Sequence, residues 1–73
     1  MLKSQGVLHK NITAAREARG LTKSELARRC KVAAGSITNW ESGAAVPRKQ
    51  HLRKLAAVLE TTVSALYREA RTA

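Results

Sequence analysis

TKSELARRCKVAAGSITNWESG, residues 22–43, decides the architecture of this chain. It opens on a capping box: the Thr22 hydroxyl can accept from the amide of Glu25, whose carboxylate can reach back to the amide of Thr22. Leu26, Ala27 and Cys30 then fall on one side of a short helix that runs to about Cys30. Lys31-Val32-Ala33 breaks the pattern before a second short helix, about Ala34 to Ser42, which stops at Gly43. Ile37 and Trp40 lie three apart and share its inward face. Helices this short are not stable alone, so the flanking segments must supply the rest of a core.

They carry the pattern to do so. Upstream, Leu8, Ile12 and Ala15 recur at i, i+4 and i+7, which predicts a helix over Leu8–Arg19, with Gly20 able to close it in a left-handed conformation. Downstream, the loop Ala44-Ala45-Val46-Pro47 leads to a helix over about Arg48–Leu59, striped by Leu52, Leu55, Ala56 and Leu59. Thr62 caps a fifth helix with Val63 and Leu66 turned inward. No stretch alternates with period two, so no strand is expected. Residues 1–6 read as a loose arm and 71–73 as a frayed tail. The expected fold is all-α, a compact single domain over 1–73 with a core from 8 to 67. It has five short helices, the second and third forming a helix-turn-helix.

Composition limits that core and indicates a partner. Of the 73 residues 44% are hydrophobic, but thirteen are alanine and none is phenylalanine. The packing volume must come from Leu, Ile and Val with Trp40 and Tyr67. Fourteen Lys and Arg face five acids, a formal charge of +9. A compact body so basic repels itself, and a polyanion, nucleic acid first, is the matching partner. A membrane surface is the other anionic candidate, but the cations do not form one face opposite a bulky apolar stripe. One cysteine, Cys30, excludes an internal disulfide, and His9 and His51 stand too far apart in sequence to suggest a metal site. There is no paired carboxylate cluster, no nucleophile beside a base and no glycine-rich phosphate loop. Neither an enzyme nor a cofactor is therefore expected. No signal-like apolar run or membrane-length span occurs, which places the protein in the cytoplasm.

The run Arg16-Glu17-Ala18-Arg19-Gly20-Leu21-Thr22-Lys23-Ser24-Glu25-Leu26-Ala27, followed by Val32, Ile37, Trp40-Glu41-Ser42-Gly43, Pro47 and Leu55-Ala56-Ala57-Val58-Leu59, resembles the lambda-repressor-like family, the Cro/XRE-type helix-turn-helix domains of phage repressors and bacterial regulators. The resemblance spans about residues 8–67. It implies that Ala27 is the small residue where helices two and three cross, that Val32, Ile37 and Trp40 form the core of the motif, and that Arg16 and Glu41 are bridged inside the fold. By the same resemblance Lys23 and Arg48 meet the phosphate backbone, while Ala34, Gly35, Thr38 and Asn39 face the major groove. Lys49 joins the phosphate ligands, and Ser36 is divided between a phosphate and its own backbone. Asn39 has the chemistry of a base reader, since its amide can pair with adenine N6 and N7, whereas Thr38 could serve base, phosphate or water. Lys31 and Glu60 stand where the family favours glycine. Ala34 and Gly35 replace base-reading side chains and cannot hydrogen-bond a base edge.

The function implied is transcriptional regulation, most often repression, through double-stranded DNA. One recognition helix covers few base pairs, so a homodimer on a palindromic operator is expected. Val63, Leu66 and Tyr67 could build that dimer or complete the monomer core. No small-molecule ligand is evident. Within this class a phage-type repressor, a restriction-modification controller and an antitoxin-type autoregulator all fit. The rival is a protein-interaction adaptor that keeps the fold without specific DNA readout.

Overall fold

The computed structural model describes residues 4–68. The helices are α1 (Ser4–Ala18), α2 (Lys23–Cys30), α3 (Ala34–Ser42), α4 (Lys49–Val58) and α5 (Val63–Tyr67), and no strand occurs among the described residues. α2 packs on α3, and α1 closes over both α3 and α5 while α4 backs α2 and α5. The arm expected over 1–6 is corrected at 4–6, which belong to α1. Nothing there stops a helix: proline is absent, and Gly6 costs only about 1 kcal/mol relative to alanine. Residues 1–3 and the tail 71–73 lie outside the described residues.

All five helices supply the core. Leu8 and Ile12 come from α1, Leu26, Ala27 and Cys30 from α2, Ile37 and Trp40 from α3, Leu52, Leu55 and Ala56 from α4, and Leu66 from α5; Leu59 follows α4. Each of the larger aliphatic side chains contributes roughly 1.5–3 kcal/mol by leaving water. Ala15, Val63 and Tyr67 pack against this cluster half-buried. Trp40 is buried with its ring centroid 5.2 Å from that of His51, tying α3 to α4.

Three helices end in the same way. At the close of α1 the Leu21 N–H donates to Arg16 O (3.1 Å), after α2 Val32 N–H donates to Ala27 O (3.0 Å), and after α4 Thr61 N–H donates to Ala56 O (2.8 Å). This is the Schellman closure, which requires one left-handed residue just before the donor. Those residues are Gly20 (φ +69°), Lys31 (φ +60°) and Glu60 (φ +58°). Leu21 and Val32, the donors, then pack against the core. α3 ends differently, on Gly43 (φ +85°), and Ala45 N–H returns to Asn39 O at 3.2 Å.

Helix starts divide into two kinds. Thr22 and Thr62 cap α2 and α5 through their hydroxyls, accepting from Glu25 N and Ala65 N at 3.0 Å each. The Glu25 carboxylate completes the box by accepting from the Thr22 amide at 2.8 Å. That amide favours the ionised form, so it holds the Glu25 pKa below the ordinary value of 4.5. α3 and α4 begin at Ala33 and Arg48, neither of which offers a side-chain cap.

The end of α1 is joined to the end of α3 by charge. Arg16 donates from Nε to Glu41 Oε2 (2.7 Å) and from Nη2 to Oε1 (3.1 Å), a bidentate pair. Its Nη1 donates to Leu21 O at 2.8 Å. The two side chains are only 11% and 5% exposed. The hydrogen bond to Glu41 raises the Arg16 pKa further, so this cation never titrates in the working range.

Three stability measurements follow from these contacts. Lys31→Gly should be neutral to about 1 kcal/mol stabilising, because relief of the left-handed strain exceeds the added freedom of the unfolded chain. Glu60→Gly should gain less, since it also removes the Glu60–Arg19 pair at 2.9 Å. Clear destabilisation by Lys31→Gly in a urea melt contradicts the strain. Glu41→Ala should cost about 3–5 kcal/mol by leaving the buried guanidinium only its long 3.8 Å contact to the exposed Glu17, and Arg16→Met with Glu41→Leu should recover most of that loss. A double variant no more stable than the single one shows the charges to be indispensable. Because the folded pKa of Glu25 is depressed, its contribution is full above the ordinary value of 4.5 and is lost as pH falls through the lower, folded value. Glu25→Gln keeps an acceptor for Thr22 but does not titrate. Its melting temperature should therefore fall less than the parent's between about pH 6 and pH 3; equal falls dismiss the linkage.

Candidate nucleic-acid interface

The outward face of α3 is built by subtraction. Ile37 and Trp40 commit one side of the helix to the core, which turns positions 34, 35, 38 and 39 to the other side. Ala34, Gly35, Thr38 and Asn39 are all exposed, and Ser36 between them is half-buried. A Cβ placed on Gly35 meets nothing within 4 Å, so packing does not require glycine there. Among the described residues neither the Thr38 hydroxyl nor the Asn39 amide is bonded to the protein. The Asn39 carbonyl, by contrast, accepts from Ser42 Oγ (3.2 Å) and from Ala45 N. The backbone of Asn39 is thus held while its side chain is free.

Beside this face lies an open cleft of about 310 Å³, lined by Thr13, Arg16, Glu17, Lys23, Thr38, Glu41 and Ser42. The Arg16–Glu41 pair is part of its wall, and the structure brings Lys23 and Thr38 together in it. Lys23 is exposed as the first residue of α2. Arg48 and Lys49 are exposed at the entry to α4, outside the cleft. Ala27, 3% exposed, lies in the core on α2, the helix that packs against both α3 and α4.

The distribution of charge is uneven. The ion pairs among the described residues all use α1 or its end: Arg16 with Glu41 and Glu17, and Arg19 with Glu60. The fourth described acid, Glu25, is engaged in its capping box. Lys23, Arg48 and Lys49 therefore stand without an acid within 4 Å among the described residues. The helix starts at α3 and α4, free of side-chain caps, add amide N–H groups whose dipoles favour an anion. Exposed hydroxyl and amide groups on α3 and cations at the starts of α2 and α4 are the chemistry these elements offer to an anionic partner. Cys30 is buried, and burial pushes its thiol pKa up, which suits packing and not reactivity. Among the described residues no three metal-ligating side chains cluster, and no helix is long and apolar enough to cross a membrane.

Two polar residues without an expected role hold the frame. His9 Nδ1 donates to Glu41 O at 3.0 Å. Asn11 Nδ2 donates to Leu66 O and Arg68 O, both at 2.7 Å, fastening the end of α5 to α1. The one signal for His9 was its place seven residues before Arg16 on a helix face, which names no partner. Asn11 had none, since its partners are backbone carbonyls.

Comparison with known proteins agrees with this geometry. A family model described as Helix-turn-helix matches residues 12–66. The fold is similar to that of the clp gene regulator ClgR from Corynebacterium glutamicum, with a TM-score of 0.82 and 22% identity, covering 89% of this chain and 69% of that one. No curated protein matches. With the family model covering most of its length, the chain belongs to the Cro/C1-type helix-turn-helix family of DNA-binding transcriptional regulators.

Proposed function

We propose that this protein is a sequence-specific binder of double-stranded DNA that acts as a repressor, with α3 in the major groove. The observation that carries the reading is the outward face of α3, which the fold leaves unused. Thr38 and Asn39 are exposed and unbonded, and Gly35 leaves open space where a side chain would be. Asn39 reads adenine through its amide, with Thr38 beside it and Ala34 close enough for a thymine methyl. Lys23, Arg48, Lys49 and Ser36, with the first amides of α3 and α4, take the phosphates and set the register. Repression then follows from occupancy of a promoter, since no sensing element is needed for a bound protein to exclude another.

A nine-residue α3 is about 13 Å long and spans few base pairs. Specificity therefore calls for two copies on a palindromic operator with half-sites about 34 Å apart. Val63 and Tyr67, only half-buried, are the residues on α5 left to build the homodimer. The work is done wherever the duplex lies, which in a bacterial cell is the cytoplasm. A phage-type repressor, a restriction-modification controller and an antitoxin-type autoregulator would all use this same surface. The second reading, an adaptor without specific readout, draws on Ala34 and Gly35, which offer no hydrogen bond to a base.

Selection from a random duplex pool should return a palindromic consensus; its absence favours the adaptor. Lys23→Ala should weaken binding to selected and scrambled duplexes alike and flatten the log affinity–log salt slope by about one. Asn39→Ala should cost roughly 1–3 kcal/mol on the selected site only and leave the slope unchanged. Equal losses on both duplexes remove Asn39 as a reader.

A further inference from the structure

We infer that His9 is a positioning residue for DNA reading: it anchors the last turn of α3 and, through the Gly43 turn, the backbone of Asn39. The inference rests on the reading of α3 as the groove helix. His9 and Arg16 share one face of α1 and converge on a single residue of α3. Arg16 binds the Glu41 carboxylate, and His9 Nδ1 donates to the Glu41 carbonyl at 3.0 Å. A carbonyl only accepts, so Nδ1 carries the proton of this bond. Glu41 is thereby gripped by side chain and backbone from the same helix.

The imidazole does a second thing. A Cβ at Gly43 would stand 3.3 Å from His9 Cδ2 and 3.5 Å from Cγ and Nε2, so the ring lies flush against the turn that ends α3. That turn sends Ala44 N–H to Ser42 Oγ (3.3 Å) and Ala45 N–H back to Asn39 O (3.2 Å). Ser42 Oγ also donates to Asn39 O. A path of contacts thus runs from His9 through Gly43 and Ala45 to the carbonyl of Asn39, whose side chain is the free amide on the outward face. Long Lys and Arg side chains tolerate a small tilt of α3, because they can bend to keep a phosphate. A short amide pairing with a base edge cannot. Loss of the His9 anchor therefore lowers discrimination between sequences while leaving the phosphate contacts intact.

The test compares the parent with His9→Ala, His9→Asn and His9→Phe. Asparagine can place a donor near the position of Nδ1 without the ring, and phenylalanine keeps a ring without the donor. His9→Ala should reduce the ratio of selected-site to scrambled-duplex affinity by roughly three- to tenfold, the worth of about one hydrogen bond, at an unchanged salt slope. Amide exchange at Ala45 should accelerate in that variant while Leu26, in the core, stays protected. His9→Asn and His9→Phe should each restore part of both effects. An unchanged ratio overturns the proposal. So does a fall on both duplexes alike with faster exchange at Leu26, which marks a general loss of stability. If the parent itself selects no sequence, the groove reading fails, and exchange decides alone: Ala45 protection untouched in His9→Ala overturns the anchor.

Discussion

The guanidinium of Arg16 is the joint on which the arrangement depends. It reaches three pieces of chain at once: its own helix end through its position in α1, the turn into α2 through Leu21 O, and the end of α3 through Glu41. Two helices as short as α2 and α3 have little stability of their own and rely on being held. Apolar contact supplies most of the force but little direction, since a greasy interface tolerates rotation and slip. A bidentate guanidinium–carboxylate pair does not, because both nitrogens must face both oxygens. The pair is also nearly dry, so breaking it on one side strands a charge. Its role is better described as fixing where α3 points than as adding net stability, since desolvation consumes much of the attraction.

Direction is set by the helix ends as well. The Schellman closures after α1, α2 and α4 each reverse the chain within two residues and bring the next one back to the protein. Gly20 takes the required conformation without strain, whereas Lys31 and Glu60 accept it at about 1–2 kcal/mol each. The structure can carry that strain because the alternative, a longer turn at 31–33, would separate α2 from α3 and empty the contact at Ala27. The constraint that α3 must cross α2 closely thus outweighs a local preference.

How much was legible follows from the range of each interaction. The Thr22–Glu25 box and the glycine stops involve residues no more than five apart, and local chemistry showed them, whereas the positions of Lys31 and Glu60 were flagged only by the family's preference for glycine there. The apolar stripes of α2, α3 and α4 were readable because their period is that of a helix. The start of α1 was not, since Ser4-Gln5-Gly6 lies ahead of the apolar stripe that begins at Leu8 and reads as a polar lead-in. His9 and Asn11 escaped for a different reason. Their partners are carbonyls 32, 55 and 57 residues away, and a backbone carbonyl looks the same at every position. The outward residues of α3 could be named only by resemblance to a family and by the side that Ile37 and Trp40 left over.

The division of charge connects stability to function. A chain with fourteen cations and five acids has few ways to neutralise itself. In the described residues those few are concentrated on α1 and its end, where Arg16 and Arg19 take Glu17, Glu41 and Glu60. Glu25 serves the backbone instead. Among the described residues no ion pair uses Arg48, Lys49, Arg53 or Lys54, the exposed cations of α4 and its entry. The four described acids are spread along the chain, Glu17 in α1, Glu25 in α2, Glu41 in α3 and Glu60 after α4, but three of them are drawn to the cations of α1 and its end. That arrangement draws carboxylates to the α1 side and leaves Lys23, Arg48 and Lys49 without an acid within 4 Å among the described residues, which is the charge a polyanion would complement.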